Sequence, residues 1–363
     1  MHAPAEPIEA VSQRLRGFLD EKIAESTVVD SDAEEFSRVG AATVSGGKRM
    51  RAAFCWWGWR ACTDEAPRHE LPSSVISVAA SLEIFQSAAL IHDDLIDNSD
   101  TRRGQPAAHR ALEAAHRARA WSGDAAAHGR SSAILLGDLL VAWSDDLFEM
   151  GLDDLAPARA RAARAAYAQM RRDVTIGQYL DIAAESAFAD TPDARRLERA
   201  LHIASFKSAR YSVQQPLLIG AAIAGANEIQ IAALRDFGHD VGVAFQLRDD
   251  VLGVFGRPEI TGKPAGDDLR EGKRTALIAL TLQELPAASA RTVEELLGDP
   301  QLTEEQVSVL QETIRASGAL ERIEELIGDY SRRADRALVG APLAHSAVGA
   351  LRDLARRSVE RAA

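Results

Sequence analysis

The chain has 363 residues, with 42 Lys plus Arg against 54 Asp plus Glu, a formal net charge of -12 at pH 7, and 46% hydrophobic residues. That apolar content is ample for a large core and excludes disorder as the main state, because disordered chains combine low hydrophobicity with high charge. The acidic balance disfavours a nucleic-acid partner, which asks for a basic face, and makes any local basic cluster more informative.

The amino terminus, MHAPAEPIEAV, has neither a basic n-region nor an apolar h-region, so no signal peptide is expected and residues 1–7 read as a loose tail. Cys55 and Cys62 are spaced neither as a redox pair nor as a zinc knuckle, and read as two thiols on one helix in a reducing cytoplasm. The most apolar stretch, Val75 to Ile91, carries Glu83 and Gln86 and falls short of the roughly 20 residues a membrane span needs, so no span is expected. Within it Leu82, Phe85 and Ala89, followed by Ile96, recur at helical spacing. The stretches 132–151, 157–186, 193–208, 229–254 and 302–327 read similarly, being rich in Ala, Leu, Arg and Glu. Pro157, Pro192, Pro216, Pro286 and Pro342 fall near helix starts or breaks. With no fixed repeat and no linker, residues 1–363 are expected to form one all-α domain built around a bundle. One segment breaks the pattern. Residues 255–273 (FGRPEITGKPAGDDLREGK) carry glycines at 256, 262, 266 and 272 and prolines at 258 and 264, which exclude a regular helix. Lys263 and Lys273 follow glycines there, so the segment reads as a lid over an anionic ligand, with a solvated surface loop as the alternative.

Asp93-Asp94-Leu95-Ile96-Asp97 closes the apolar helix. Asp93 and Asp97, four apart, project from one helix face and would repel without a cation; all-oxygen ligation suits magnesium. A second acidic pair, Asp249-Asp250, follows the apolar run Val241 to Phe245. Two such helices facing each other across a bundle would make a metal-loaded mouth. Basic clusters supply what a polyphosphate would need: Lys48, Arg49 and Arg51 after Gly46-Gly47, Arg102-Arg103 five residues beyond Asp97, and Lys207 with Ser208 and Arg210 at the end of another helix.

The ordered set GGKRMR, QSAALIHDDLIDNSDTRRGQP, GQYLDI, FKSARY, FQLRDD and GKPAGDDLREGKRT, from about Gly46 to Lys273, resembles the trans-isoprenyl diphosphate synthases of the polyprenyl synthetase family. The resemblance implies an all-α bundle with a deep central cavity, a homodimer, and head-to-tail condensation of isopentenyl diphosphate with an allylic diphosphate. It also implies dependence on Mg2+, with three ions per active site. Asp93 and Asp97, assisted by Asp94, then look like the metal ligands of the first aspartate motif, and Asp249, beside Asp250, like the ligand of the third ion. Arg102 resembles the arginine gripping the allylic diphosphate. Lys48, Arg51, Arg103 and Gln86 resemble the homoallylic site. Lys207, Gln246 and Lys263 resemble groups that stabilise the allylic diphosphate and the developing cation, and Lys273 a further diphosphate contact. Tyr211 matches a family tyrosine, though a core tyrosine explains it nearly as well. Three departures stand out: Gly253 where the second motif usually carries its last aspartate, Ser208 where the family pairs lysine with threonine, and an Ala-, His- and Arg-rich stretch at 113–130 where many relatives are shorter.

The expected chemistry is ionisation of the allylic C–O bond, attack by the isopentenyl double bond on the cation, and proton loss to the departed diphosphate. Chain length should follow from the depth below Asp93. Ala88 and Ala89 leave the upper turn open, and Phe85, a turn further down, could close it, which argues for a C20 geranylgeranyl product with C15 and C25 as neighbours. A residue of another helix, such as Val141 or Ile182, is the alternative floor. A class I terpene cyclase would share the first motif but need no second diphosphate site, and a silent partner subunit would lose its aspartates.

Overall fold

The computed structural model describes residues 7–63, 71–188, 190–256 and 266–360. The chain divides into two compact units, Met1–Trp59 with Glu65–Arg161, and Arg60–Asp64 with Ala162–Ala363.

The first unit contains α1 (Pro7–Val29), α2 (Ser31–Val44), most of α3 (Met50–Ala61), α4 (Ser73–Ile96), a small hairpin of β1 (Thr101–Arg102) and β2 (Gln105–Pro106), α5 (Ala108–Ala118) and α6 (Ala125–Met150). Pro7 is already helical, one residue earlier than the expected tail allows, and residues 1–6 lie outside the described residues. At 24 residues α4 is longer than its apolar sequence run and is apolar enough to cross a membrane by length and composition; 78% of its most apolar window is buried inside the protein. It is the core helix of this unit, and α6 packs along it. Small residues set the closeness of that packing. A Cβ on Gly137 would meet the His92 ring at 2.2 Å, and one on Gly151 would meet the Ser74 carbonyl at 2.9 Å. The Ser144 hydroxyl donates to the Ser81 carbonyl at 2.8 Å across the same seam. Cys55 lies inside α3 and Cys62 one residue past its end; burial pushes both thiols up, Cys62 to about 12, so neither is a thiolate at neutral pH.

The second unit takes most of α7 (Pro157–Ser186), then α8 (Asp193–Ala204), a π-helix (Ser205–Gln214), α9 (Gln215–Ala224) and α10 (Glu228–Phe255). Five helices follow a short α11 (Asp267–Glu271): α12 (Ala276–Glu284), α13 (Ala287–Leu296), α14 (Glu304–Ala316), α15 (Ala319–Ala337) and α16 (His345–Val359). α10 is central, packing on α15 and on the π-helix. Its start is fixed by a capping box in which Asn227 and Gln230 bond each other's backbone N–H.

Three expectations are corrected. The stretch 302–327 is not one helix, because Gly318 adopts φ +82°, a conformation that ends α14 and starts α15. The segment 255–273 is not helix-free: Asp267–Glu271 forms α11, closed on both sides by left-handed glycines, Gly266 (φ +72°) and Gly272 (φ +77°). Lys207 does not end a helix either. The chain runs from α8 through the π-helix into α9, where the Gln215 N–H donates to the carbonyl of Arg210 five residues back. Pro216 lacks an N–H and its ring crowds the carbonyl four residues before it, so a wider helical register upstream relieves the conflict without breaking the rod.

Candidate active site

In the first unit the hinge of the site is the turn of the β hairpin. Thr101 pairs with Pro106 and Arg102 with Gln105, leaving a two-residue turn whose members, Arg103 (φ +53°) and Gly104 (φ +73°), are both left-handed, as a tight hairpin of this twist requires. The hairpin sends its two arginines to different places. Arg102 donates from Nε to Asp94 Oδ1 at 2.9 Å, adds a second bond from Nη2 to the same oxygen, and lies 3.6 Å from Asp93. Burial works to lower the Arg102 pKa, but the Asp94 bond and the charges of Asp94, Asp93 and Asp97 outweigh it and hold it above its ordinary value. Asp94, assigned to metal from the sequence, is the buried member of the motif and is engaged by Arg102, whereas Asp93 is half-buried and Asp97 is the C-cap residue of α4.

Arg103 reaches the glycine turn before α3. Its Nη1 donates to the Ser45 carbonyl at 3.4 Å, and a Cβ on Gly47 would fall 3.0 Å from its guanidinium. Burial, followed by the charge of Arg49, lowers its pKa, with Arg102 and Arg51 adding to the repulsion. These crowded cations are a ready anion site. Lys48 is exposed at the same turn, and Gln86 is half-buried on α4. Sequence reasoning missed Glu83. Its buried carboxylate accepts the Ala52 N–H at 2.9 Å in the first turn of α3 and lies 3.7 Å from Arg49 Nη1, so one acid on the core helix anchors the basic turn. The only signal for it was a charge inside an apolar run.

A cavity of about 470 Å3 opens beneath the hairpin, with Arg102, Arg103, Asp94 and Ser45 at its polar end and Leu90, Ile91 and Ala108 among its apolar walls. Its α4 wall is the face of Ser87, Leu90, Ile91 and Asp94, and the three chain-length positions, Phe85, Ala88 and Ala89, are not among its lining residues. Phe85 and Ala88 are buried and Ala89 half-buried.

In the second unit the π-helix carries Lys207, Ser208 and Tyr211. Lys207 Nζ meets Asp181 Oδ2 at 2.5 Å, and Arg210 meets Asp173 at 3.0 Å, so α7 supplies an acid to each base. Asp181 was overlooked although it stands inside the motif GQYLDI. Ser208 is half-buried; Tyr211 is buried, 5% exposed. Three glycines seat the wide π-helix. A Cβ on Gly177 would lie 2.3 Å from the Lys207 nitrogen, on Gly242 2.5 Å from the Ala209 Cα, and on Gly238 2.7 Å from the Gln214 Cα.

Gln246 donates to Asp250 at 2.7 Å. Burial pushes the Asp250 pKa up to about 8, with the charges of Asp268, Asp249 and Asp181 adding to the rise. Asp250 is thus protonated at neutral pH without a cation, while Asp249 beside it is half-buried. The missing last aspartate of the second motif has a spatial counterpart: the Asp268 carboxylate, from α11, covers Gly253, where a Cβ would lie 2.0 Å from Oδ2. Lys273 pairs with Glu271 at 2.7 Å, and Lys263 lies outside the described residues. Hard carboxylate oxygens crowded around Asp250 fit a divalent cation such as magnesium. Among the described residues no three acids, imidazoles or thiols converge as a closed cage.

Residues 33–314 match the family model for polyprenyl synthetase. The chain is 27% identical over 299 residues to a short chain isoprenyl diphosphate synthase of Methanocaldococcus jannaschii, covering 82% of this chain and 81% of that one. It is 31% identical over 278 residues to a geranylfarnesyl diphosphate synthase of Aeropyrum pernix, covering 75% and 78%. A geranylgeranyl pyrophosphate synthase from Corynebacterium glutamicum, solved as a complex with isoprenyl diphosphate and magnesium, superposes with a TM-score of 0.92 at 40% identity, covering 99% of this chain and 100% of that one. With its all-α isoprenoid synthase fold, the chain belongs to the polyprenyl synthetase family and is a prenyltransferase that makes trans-prenyl diphosphates.

Proposed function

We propose that this prenyltransferase uses magnesium to condense isopentenyl diphosphate with dimethylallyl, geranyl and farnesyl diphosphates, and that it stops at the C20 product, geranylgeranyl diphosphate. The observation that carries the chain length is the α4 ladder below Asp93. At the positions four to five and eight before Asp93, Ala88 and Ala89 put no bulk on the first turn, and Phe85 stands about 12 Å down the helix, buried and outside the lining of the cavity beneath the hairpin. In this reading the growing chain runs along this face of α4 beyond the cavity beneath the hairpin, so a short product has no floor in the upper turn and a long one is stopped by Phe85.

Asp93 and Asp97 would hold two magnesium ions and Asp249 the third, which supply Lewis-acid charge to the diphosphate oxygens when bound. Arg102, fixed by Asp94, aims a permanent charge at the allylic diphosphate, so its donors need no reorganisation as negative charge builds on the leaving group. Lys207, held by Asp181, and Gln246, held by Asp250, do the same with a point charge and an amide dipole. Lys263 and Lys273 belong to the same reading, as do Ser208 and Tyr211 beside Lys207. Lys48, Arg51, Arg103 and Gln86 bind isopentenyl diphosphate and orient its double bond. The departed diphosphate, held by these bases, accepts the proton lost after condensation.

The assembly in this reading is a cytoplasmic homodimer of one polyprenyl synthetase domain. Ile134 (51% exposed) and Leu135 (63% exposed) give α6 an apolar outer face suited to a second copy, and two free thiols suit a reducing compartment. Pure protein is to be incubated with magnesium, labelled isopentenyl diphosphate and each allylic primer in turn, and the alcohols released by phosphatase sized. Growth that ends at C20 from every primer supports the reading; termination at C15 or C25 overturns the length.

A further inference from the structure

We propose that Arg196, Arg199 and Arg274 form a binding site in the second unit for a phosphate-class oxyanion, built from side chains that have no part in the prenyl transfer described above.

Three guanidinium groups line one small cleft with Phe188, Thr191, Ala200 and Ala279. Two of them stack over the same ring: Arg274 Cζ is 4.0 Å and Arg196 Cζ 4.1 Å from the Phe188 centroid. Bringing two cations to one phenyl ring costs mutual repulsion, and the acids nearby relieve it unevenly. Arg196 Nη1 has Asp193 at 3.0 Å and Glu294 at 3.2 Å. Arg199 Nη1 donates to the Thr191 hydroxyl at 3.0 Å and leaves its charge uncompensated by that neutral partner. Arg274 makes no ion pair among the described residues; burial lowers its pKa, Glu294 and Glu185 act on it through space, and Arg196 repels it.

The donors show what is missing. Arg274 Nε, Arg274 Nη1 and Arg196 Nε are buried and without hydrogen-bond partners. Stacking on Phe188 uses the faces of the guanidinium planes, whereas N–H bonds lie in those planes, so the ring does not satisfy them. A tetrahedral oxyanion does, because its several acceptor oxygens can serve two arginines at once with charge-assisted bonds. The cleft, about 10 Å3, admits one water-sized atom, such as one oxygen of a phosphate whose remainder stays outside it. Arg274 also directly precedes Thr275, the N-cap of α12, whose positive end favours an anion further.

The test is calorimetric titration of inorganic phosphate, and separately of pyrophosphate, into the full-length protein in EDTA at constant ionic strength. The wild type should bind phosphate. Arg274→Gln and Arg199→Gln should each weaken this by about tenfold or more, Arg274→Lys should recover part of it, and Arg322→Gln, an exposed arginine paired with Glu325 outside both sites, should leave it unchanged. A melting curve verifies that each variant is folded, and a failure of Arg274→Gln to fold leaves Arg199→Gln to give the same reading. Tighter binding of pyrophosphate identifies the diphosphate released by the enzyme as the source, and equal or weaker binding identifies free phosphate. The proposal is overturned if the wild type binds neither anion, or if folded Arg274→Gln and Arg199→Gln bind as the wild type does.

Discussion

Asp268 stands over Gly253: a Cβ at residue 253 would come within 2.0 Å of the Asp268 carboxylate oxygen. A carboxylate 15 positions further on therefore occupies the space that a side chain at the last position of the second aspartate motif would take, and glycine leaves room for it. If Asp268 serves in place of the motif's last aspartate, the loss expected from Gly253 is a relocation of that ligand. Gly253→Asp should crowd two carboxylates into one space, raising the magnesium concentration needed for half-maximal rate and lowering the melting temperature. Asp268→Ala alone should also raise that concentration. The double variant, with its acid back in the motif, should recover much of the loss, so a double-mutant cycle on magnesium affinity should give a strong favourable coupling. Additive losses would sink the relocation.

The π-helix packs against two helices that meet its backbone through glycines. A Cβ on Gly242 of α10 or on Gly177 of α7 would fall within 2.5 Å of π-helix backbone atoms. Backbone cannot rotate away as a side-chain tip can. Gly242→Ala is expected to destabilise the protein by about 1–3 kcal/mol through overpacking. It should also lower kcat, because the segment it displaces carries Lys207. Denaturant unfolding and steady-state rates, measured on the same preparation, check both parts.

Much of the fold was legible because helical pattern and punctuation agree. Residues 157–186 form α7 with the bounds read from Pro157 and the sequence that follows, and 229–254 differ from α10 by one residue at each end. The π-helix was not legible, since a change of hydrogen-bond register over residues 205–214 leaves no trace in composition. The aspartate motifs and basic clusters were visible as local strings. The acids that hold them were not: Asp181 lies 26 residues from Lys207, and Glu83 lies 34 from Arg49. Such pairs form by packing, so spacing along the chain does not announce them. Gly318 carried a readable signal, a glycine within a helical run, that was passed over.

Phe85→Ala tests the floor. Phe85 is 6% exposed, so losing its ring opens a space on α4 and costs stability, about 3–5 kcal/mol if the surroundings do not relax. If the ring also stops the growing chain, products should lengthen by at least one C5 unit while the rate of the first condensation is kept. A variant that is destabilised yet still ends at the wild-type length would make Phe85 a core residue alone and move the limit to another helix.

Asp250 makes stability depend on pH in a direction opposite to that of a salt-bridged aspartate. Its folded-state pKa is about 8 against an ordinary 3.8. Between those values the native state holds a proton that the unfolded chain has released, so metal-free stability should fall as pH rises through the window. The slope from this one group is at most about 1.4 kcal/mol per pH unit. Asp250→Asn removes the titration while keeping the shape, and should flatten the dependence between about pH 5 and about pH 7. Magnesium offsets the charge that Asp250 acquires when it ionises, so the stabilisation it gives should grow with pH in the wild type and much less so in Asp250→Asn. Denaturant titrations in EDTA and in magnesium, at both ends of that range, measure all four quantities. Parallel pH curves for wild type and variant would mean that Asp250 is ionised in the folded protein already, with its charge met by a partner other than the metal.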